Sequence, residues 1–277
     1  MNEGVKGFGW NSIAQGYKVL FSSIVLILLA RIISVEEFGI IGMSTVFVLF
    51  FNTLLNIGFD SSIIYSKTLK EEHLSSLFIL NLGIGFLIYA LGYISAPIIS
   101  EFYNNDEIQI IFRSLILGVL FSSFGVVSKG VLQKNLQFKK IAIIDLIAVT
   151  FAGVSAVILA LCDYGYWALI IQQLLTVGFA SIGYLVISYK SIFKSFTFAF
   201  DVVKEHLKFG YNVLIFNVVN FFAQQLDVLL IGKLLGEREA GLYVLAFNLI
   251  IKPVGLLVQV FNKTLYPILA RFEKDVV

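Results

Sequence analysis

The chain has 277 residues, of which 58% are hydrophobic and 14% are charged. Soluble domains average about 45–50% apolar and about 25% charged residues, whereas this chain has a mean hydropathy of +0.92. A soluble fold of this size has too little interior for so many apolar side chains, so composition predicts an integral membrane protein. The net charge is +2 and the basic residues are scattered singly, which argues against nucleic acid as a partner.

The sequence offers no cofactor or metal chemistry. Cys162 is the single cysteine, which excludes an intrachain disulfide and a cysteine-rich metal site. His73 and His206 lie far apart in polar segments, where solvated histidines are the ordinary case. The chain contains neither a phosphate-binding P-loop nor a nucleophile elbow. We therefore expect a protein that is not an enzyme and has no catalytic residue, metal or cofactor.

Eight stretches are long and apolar enough to cross a membrane as helices, since a spanning helix needs about 20 mostly apolar residues. They cover residues 10–33, 38–58, 77–98, 114–132, 141–161, 167–188, 212–235 and 242–266. The first is too long for a signal peptide and lacks a small-residue cleavage site, so we expect it to be retained. Because the stretches are continuously apolar, they predict an all-α, polytopic helical bundle rather than a β-barrel.

Basic residues alternate between successive loops. Lysines concentrate in the loops after the second, fourth and sixth stretches, whereas the intervening loops carry mainly Asp and Glu. Positively charged loops of membrane proteins stay on the cytoplasmic side. We therefore expect both termini to be cytoplasmic.

Two parts of the chain resemble each other. Phe8-Gly9-Trp10-Asn11 opens the first stretch, and Phe209-Gly210-Tyr211-Asn212 opens the seventh. The match continues through residues 30–39 and 232–241, where Gly39 aligns with Gly241. An even number of stretches separates the copies, so both enter the membrane from the same side. This pattern predicts a parallel repeat about an axis along the membrane normal.

The repeat predicts one complete six-helix lobe followed by the first two helices of a second. We assign the N-terminal lobe to residues 1–190, an amphipathic interfacial linker to 191–209 and the start of the C-terminal lobe to 210–277. The linker mixes phenylalanines with lysines, which favours a segment lying on the lipid surface over a partner-binding helix. A second lobe as long as the first would need about 130 further residues.

Polar residues inside the apolar stretches are candidate functional residues, because an ionised side chain costs about 2.5–3.5 kcal/mol to insert. Lys18 shares one face of the first stretch with Asn11 and Gln15, which favours a wet cavity, although its long side chain could also reach the interface. Asp227 and Lys252 are expected at similar depth on adjacent antiparallel helices, as an ion pair or as part of a polar patch. Gln224 and Gln225 extend that patch. Two further charged residues lie near cytoplasmic helix ends, as interface anchors or substrate contacts: Lys263 and Asp145.

Several ordered motifs resemble one family. Residues 29–39 (Leu-Ala-Arg-Ile-Ile-Ser-Val-Glu-Glu-Phe-Gly), 71–78 (Glu-Glu-His-Leu-Ser-Ser-Leu-Phe) and 132–140 (Leu-Gln-Lys-Asn-Leu-Gln-Phe-Lys-Lys) are similar to segments of bacterial polysaccharide exporters and lipid-linked oligosaccharide (O-antigen) flippases. Residues 227–236 (Asp-Val-Leu-Leu-Ile-Gly-Lys-Leu-Leu-Gly), ahead of Tyr243, resemble the start of that family's second lobe. The resemblance covers essentially the whole chain, and the superfamily also holds multidrug exporters and the peptidoglycan-precursor flippase.

The resemblance implies two six-helix lobes around a cavity that opens to alternate sides of the bacterial inner membrane. It also implies movement of an undecaprenyl-pyrophosphate-linked glycan to the outer leaflet, for lipopolysaccharide, exopolysaccharide or capsule biosynthesis. The expected partners are this lipid-linked oligosaccharide, membrane lipids and the glycosyltransferases or polymerase of the same pathway. The residues expected to contact the substrate are Lys18, Lys252, Lys263, Asn11, Gln15, Gln224 and Gln225, with Asp227 and Asp145 in an ion pair or in cation coupling.

Three other functions stay open. A multidrug exporter of the same superfamily would favour intramembrane carboxylates and an aromatic cavity, whereas here buried lysines outweigh buried aspartates. A non-transporting scaffold subunit would purify with a glycosyltransferase or polymerase while moving nothing. A membrane glycosyltransferase would transfer sugar as the purified chain.

The nucleotide sequence of the locus beyond codon 277 tests whether the second lobe continues. An in-frame or frameshifted continuation encoding four or more further helices would mean that this chain is an incomplete flippase. A clean stop with no second half nearby would mean a chain that assembles with copies of itself or does not transport.

Overall fold

The structure is a computed structural model and describes residues 2–55, 63, 73–194, 200–251 and 254–255, with side chains from residue 14 in the first helix and from residue 214 in the eighth. The described residues are predominantly helical, as the sequence predicts. The helices are α1 (Asn2–Leu29), α2 (Val35–Leu55), α3 (Leu74–Tyr103), α4 (Glu107–Leu115), α5 (Leu117–Lys134), α6 (Phe138–Leu161), α7 (Trp167–Ile192), α8 (Phe200–Leu235) and α9, described over 237–251.

Six helices of the described chain are long and apolar enough to cross a membrane. They are Val35–Leu55, Leu74–Tyr103, Glu107–Lys134 (α4 and α5 together), Phe138–Leu161, Trp167–Ile192 and Leu214–Leu235. They match the second to seventh predicted stretches and confirm a multi-pass helical bundle. The first stretch corresponds to α1, in which the shorter segment Ala14–Leu29 is apolar. The eighth begins in α9 and continues outside the described residues, and α8 begins at Phe200, inside the segment assigned to the linker.

The first seven helices pack side by side, and α8 lies against α2 and α3. Helix α1 packs on α6, α6 on α7, α7 on α5, and α5 on α3, while α4 is held between α2 and α3. The largest core joins the end of α1, the start of α2, the end of α3 and all of α4. Among its fully buried side chains are Leu29, Met43, Ile108, Ile111 and Phe112. The tightest packing therefore lies at the end of the bundle that carries the α1–α2, α3–α4 and α6–α7 connections.

Hydrogen bonds at the start of α2 tie two of these connections together. Ser34 and Glu37 form a capping box, in which the Glu37 N–H donates to Ser34 Oγ (3.3 Å) and the Ser34 N–H donates to Glu37 Oε2 (3.0 Å). The second carboxylate oxygen accepts the Tyr166 N–H at 2.9 Å. A Cβ on the neighbouring Gly165, whose φ is +52°, would lie 2.3 Å from that oxygen, so glycine is required there. Burial, together with the carboxylates of Glu107 and Glu37, raises the pKa of the Tyr166 phenol.

Helices α2 and α9 approach each other so closely that their backbones touch. A Cβ on Gly39 would lie 1.7 Å from the carbonyl oxygen of Glu237. On the other side, a Cβ on Gly241 would lie 2.0 Å from the carbonyl oxygen of Val35. Small residues allow this kind of close approach between membrane helices. Any side chain at either glycine would have to displace a helix backbone.

Two of the contacting pairs are aligned by the predicted repeat: Gly39 with Gly241, and Glu36 with Arg238 (Oε1 to Nε, 3.7 Å). Gly42 and Val244, just beyond the aligned residues, are in contact at the same separation of 202 positions. A position that contacts its own counterpart lies on or beside a two-fold axis. These contacts are the ones expected where two parallel lobes meet at their common axis. We call this contact region, formed by residues 35–44 and 237–244, the seam.

Alanine at the seam glycines is expected to destabilise the protein. Gly39→Ala and Gly241→Ala should each cost about 1–3 kcal/mol, because the new methyl group meets a backbone carbonyl that cannot move away by itself. Gly16→Ala and Gly83→Ala are matched controls, since a Cβ at either position has no heavy atom within 4 Å. The controls should be neutral or stabilising by up to about 1 kcal/mol, because alanine favours the helix. The measurement is the thermal unfolding of the detergent-solubilised chain, and equal midpoints for the two sets would contradict the seam.

Candidate functional site

A cavity of about 360 Å³ lies between α2 and α8. Helix α2 contributes Asn52 and Thr53, with Leu49 beside them. Helix α8 contributes a larger group of polar side chains and one aromatic ring: Asn217, Asn220, Gln224, Gln225 and Phe221. Polar side chains are rare inside membrane-spanning helices unless they meet a polar environment. The cavity is therefore the best candidate for a functional site among the described residues.

The spacing of the α8 amides brings them to one side of the helix. Asn217, Asn220 and Gln224 follow one another at intervals of three and four residues, which places them on a single face. The side chains of Phe216, which precedes Asn217, and Val219, which precedes Asn220, are 67% and 64% exposed on the outside of the helix. Helix α8 thus presents apolar residues outward and amides toward α2. We call the face formed by Asn217, Asn220 and Gln224 the amide stripe.

The amides at the centre of the cavity have hydrogen-bonding capacity to spare. The Asn220 amide donates to the Phe216 carbonyl oxygen of its own helix at 3.1 Å, which leaves its side-chain oxygen as an acceptor. The side chains of Gln224 and Gln225 form no hydrogen bond with any other residue that the structure describes. Each glutamine amide supplies two donors and one acceptor oxygen. The cavity can therefore offer both donors and acceptors to a polar ligand.

Aromatic rings form one wall of the cavity. The buried ring of Phe221 lies 5.4 Å from that of Phe50 on α2, and Phe222 lies 6.1 Å from Phe50. Farther along α2, Thr45 lies 3.5 Å from the side-chain amide of Gln173 on α7, at the limit of a hydrogen bond. The polar face of α2 thus continues from the cavity toward α7.

The cavity and the seam lie toward opposite ends of the same helix. Asn52 follows Gly39 by thirteen positions on α2, which is roughly 20 Å at the helical rise of 1.5 Å per residue. Gln224 precedes the turn at Gly236, between α8 and α9, by roughly 18 Å on the same basis. The helices of the two predicted lobes are therefore in backbone contact at one end and separated by a polar space toward the other.

A second polar cluster lies between helices α1, α5, α6 and α7, within the predicted N-terminal lobe. Lys18 Nζ on α1 is 3.5 Å from Asp145 Oδ2 on α6, and the Tyr184 hydroxyl on α7 donates to Asp145 Oδ1. The ammonium group of Lys129 on α5 lies 5.6 Å from the centre of the Tyr184 ring. The Asp145 side chain is 13% exposed and that of Lys18 is 36% exposed. Four helices thus each contribute one side chain to a cluster with two cations and one carboxylate.

Asp227 lies on α8 one turn beyond Gln224, and its partners are described. Its Oδ2 accepts a hydrogen bond from the Tyr243 hydroxyl on α9, and its Oδ1 accepts the Val228 N–H at 2.8 Å. Lys252, the predicted ion-pair partner of Asp227, lies outside the described residues. The aspartate therefore links α8 to α9 through a tyrosine, which the sequence analysis did not predict.

The structure brings together only some of the residues that the sequence singled out. Gln224 and Gln225 share the cavity, whereas Lys18 and Asp145 meet each other in the separate cluster. Gln15 is half-buried on α1 and is not among the described cavity residues, and Asn11 lies on the same helix, where only its backbone is described. Lys252 and Lys263 lie outside the described residues. The substrate-binding roles of all of these residues stay predictions.

Four cavity residues were missed because they are uncharged and lie inside apolar stretches: Asn52, Thr53, Asn217 and Asn220. In the sequence, ionisable residues and their polar neighbours are the ones that stand out inside apolar stretches. The spacing of Asn217, Asn220 and Gln224 would have revealed the amide stripe. The described part of the chain holds no group of three or more His, Cys, Asp or Glu residues that could bind a metal ion.

We expect Asp145 and Lys18 to depend on each other. Lys18→Met should lower stability by about 1–3 kcal/mol, because it leaves the Asp145 carboxylate with fewer partners inside the bundle. The double variant Lys18→Met/Asp145→Asn should recover part of that loss, since no unpaired charge then remains. Thermal unfolding in detergent measures the coupling through a double-mutant cycle. Additive losses would contradict a pairing of these side chains.

Comparison with known proteins places the chain in a family. The model of the family described as "Polysaccharide biosynthesis protein" matches residues 28–277. The chain is 28% identical over 276 residues to the teichuronic acid biosynthesis protein TuaB of Bacillus subtilis (strain 168), covering 99% of this chain and 57% of TuaB. It is 26% identical over 277 residues to the lipopolysaccharide biosynthesis protein WzxC of Escherichia coli (strain K12), covering 98% of this chain and 55% of WzxC.

A third relative is named as a transport protein. The chain is 24% identical over 271 residues to the succinoglycan biosynthesis transport protein ExoT of Rhizobium meliloti (strain 1021), covering 98% of this chain and 54% of ExoT. The chain thus spans a little over half the length of these relatives. No solved structure matches it. With its apolar helices and a family match over residues 28–277, the chain is a multi-pass membrane protein that belongs to the polysaccharide biosynthesis protein family.

Proposed function

We propose that this protein acts as a flippase, which moves a lipid-linked oligosaccharide across the bacterial inner membrane during polysaccharide biosynthesis. Membership of the polysaccharide biosynthesis family and the name of the ExoT relative support transport of a glycan precursor. The structural observation that carries the proposal is the polar cavity between α2 and α8, with backbone contact between the lobes at the opposite end. A hydrated headgroup needs such a polar space inside the membrane. The protein has no catalytic role in this proposal.

The transport cycle we propose is alternating access. In the orientation predicted from the loop lysines, both termini are cytoplasmic, so the seam faces the outside and the cavity lies in the cytoplasmic half of the bilayer. Lipid-linked precursors would then enter the cavity from the inner leaflet. Opening the seam while closing the cavity end would release them outward, by rocking of the two lobes about the central axis.

The seam has the chemistry of a contact that can open. Glu36 and Arg238 form its ion pair, and their side chains are 45% and 71% exposed. Exposed pairs of this kind contribute only about 0–1 kcal/mol. The glycine contacts below it consist of close packing of backbone on backbone. Separating the two helices would thus cost packing but would leave no buried charge without a partner at these positions.

The apolar surface of α8 suits the lipid tail. Phe216, Val219 and Leu234 are 67%, 64% and 74% exposed, on the helix that also carries the amide stripe. A substrate headgroup in the cavity would therefore lie beside an apolar helix surface. The polyprenyl chain would stay in the bilayer along that surface while the headgroup crosses inside the protein.

The charged residues take supporting roles in this proposal. Lys18 attracts the anionic headgroup, and Asp145 both neutralises Lys18 in the empty protein and serves as a coupling carboxylate in the N-terminal lobe. Asp227 serves as a second coupling carboxylate on α8, where it accepts a hydrogen bond from the Tyr243 hydroxyl. The further substrate contacts proposed from sequence are Asn11, Gln15, Lys252 and Lys263. The pathway's glycosyltransferases or polymerase would be partners at the cytoplasmic side.

A disulfide across the seam is expected to stop transport. A Cβ on Gly42 would lie 3.5 Å from the Val244 Cβ, within the range of disulfide bonds. In a Cys162→Ser background, Gly42→Cys/Val244→Cys should therefore cross-link under mild oxidation. Because the seam can then no longer open, export of surface polysaccharide in cells that depend on this gene should fall by at least tenfold and recover on reduction.

The control disulfide lies within one lobe. A Cβ on Gly183 of α7 would lie 3.6 Å from the Ile144 Cβ of α6. The double variant Gly183→Cys/Ile144→Cys therefore measures the effect of oxidation and of a disulfide that does not join the two lobes. This variant should export normally in both redox states. Unchanged export by the fully cross-linked seam variant would refute alternating access through the seam.

A further inference from the structure

The cavity is lined by neutral hydrogen-bonding groups. Five of its six polar side chains are carboxamides and the sixth is the hydroxyl of Thr53, so none of the described lining residues carries a charge. Carboxamides donate through nitrogen and accept through oxygen. This combination matches ligands whose own groups both donate and accept hydrogen bonds. Sugar hydroxyls have this property, whereas phosphate oxygens at neutral pH only accept.

Among the described side chains of α8, the charged residue nearest the cavity is a carboxylate. Asp227 follows Gln224 by one turn of α8, and the described lining offers no cation to offset it. Strong binding of phosphate groups in proteins relies on Arg, Lys or clustered backbone N–H groups. A diphosphate placed beside the amide stripe would lose its hydration without gaining a cation from the described lining. Lys18 and Lys129 belong to the Asp145 cluster, and Lys233 in the last turn of α8 donates to the Phe102 carbonyl oxygen.

Size and shape also fit a sugar. A volume of 360 Å³ is at the small end of the range of about 300–1,000 Å³ for small-molecule sites, which leaves room for about one or two sugar rings. The ring of Phe221 provides an apolar wall opposite polar groups from both helices. A pyranose ring has the same division, with C–H groups on its faces and hydroxyls around its rim.

We infer that the cavity between α2 and α8 binds an uncharged sugar ring of the lipid-linked glycan through its carboxamides and leaves the diphosphate outside. This inference rests on the proposed flippase function and specifies which part of the substrate the cavity recognises. Gln224 and Asn220 are its central contacts, because the hydrogen-bonding groups of Gln224 and the oxygen of Asn220 are not engaged by the other described residues.

Binding of defined lipids to the purified chain in nanodiscs tests the inference. The probes are undecaprenyl diphosphate alone and the same lipid carrying one glucose or one N-acetylglucosamine, each measured separately. At least one sugar-bearing lipid should bind at least tenfold more tightly than the bare lipid. This preference should change little between low and high salt, because neutral hydrogen bonds are not screened. Equal affinity for the bare lipid and both sugar-bearing lipids would overturn the inference.

Substitutions in the amide stripe locate the sugar site. Gln224→Ala and Asn220→Ala should each weaken binding of the sugar-bearing lipid about 3- to 10-fold, the range expected for loss of one neutral hydrogen bond. Binding of the bare lipid should not change. Val186→Ala is the control, because it truncates an exposed apolar residue of α7, a helix that contributes no residue to the described cavity lining. Equal losses for both lipids, or wild-type binding by both stripe variants, would overturn the inference.

A transport assay separates this inference from the proposed function. If the chain prefers the sugar-bearing lipid through the amide stripe but cells lacking the gene still export polysaccharide, the flippase proposal fails and the sugar site stands. If export depends on the gene while the stripe variants bind both lipids as the wild type does, the flippase proposal stands and the sugar site fails.

Discussion

The contact of two helix backbones at Gly39 and Gly241 determines how the rest of the structure is arranged. Without side chains between them, α2 and α9 are fixed at one end at a distance that only glycine permits. Helix α8 reaches this contact through the turn at Gly236, whose φ is +97°. The polar space between α2 and α8 lies roughly 20 Å away along α2. A tight contact at one end and a cavity toward the other therefore belong to a single arrangement of the helices.

The polar groups of the bundle are divided between two environments. In the N-terminal lobe, opposite charges meet, so Lys18 and Asp145 partly satisfy each other. In the cavity, neutral amides face an open space. Low dielectric makes an unpaired charge far more costly than an unpaired amide. The arrangement therefore pairs the ionised Lys18 and Asp145 side chains with each other and places neutral amides along the open space.

Hydrophobicity alone predicted most of the fold, because a membrane leaves few alternatives to long apolar helices. Sequence similarity between the copies also identified Gly39 and Gly241 as equivalent, although not that they touch. The cavity was harder to predict. Gln224 and Gln225 were found through the nearby Asp227, but Asn52 and Asn217 come from helices whose contact is long-range. The pairing of Lys18 with Asp145 likewise depends on the packing of α1 against α6, which no local pattern encodes.

The seam also limits how the two predicted copies of the repeat can diverge. Where equivalent positions contact each other, their two side chains fill one shared space. A larger side chain at one position therefore requires a smaller side chain at the other. Gly42 and Val244 illustrate this complementarity, since the bulk of the valine occupies the space that the glycine leaves. Mutations at the seam are therefore tolerated in compensating pairs, whereas positions away from the axis can drift independently. In an alignment of relatives, covariation between positions separated by 202 residues would be the signature of this constraint.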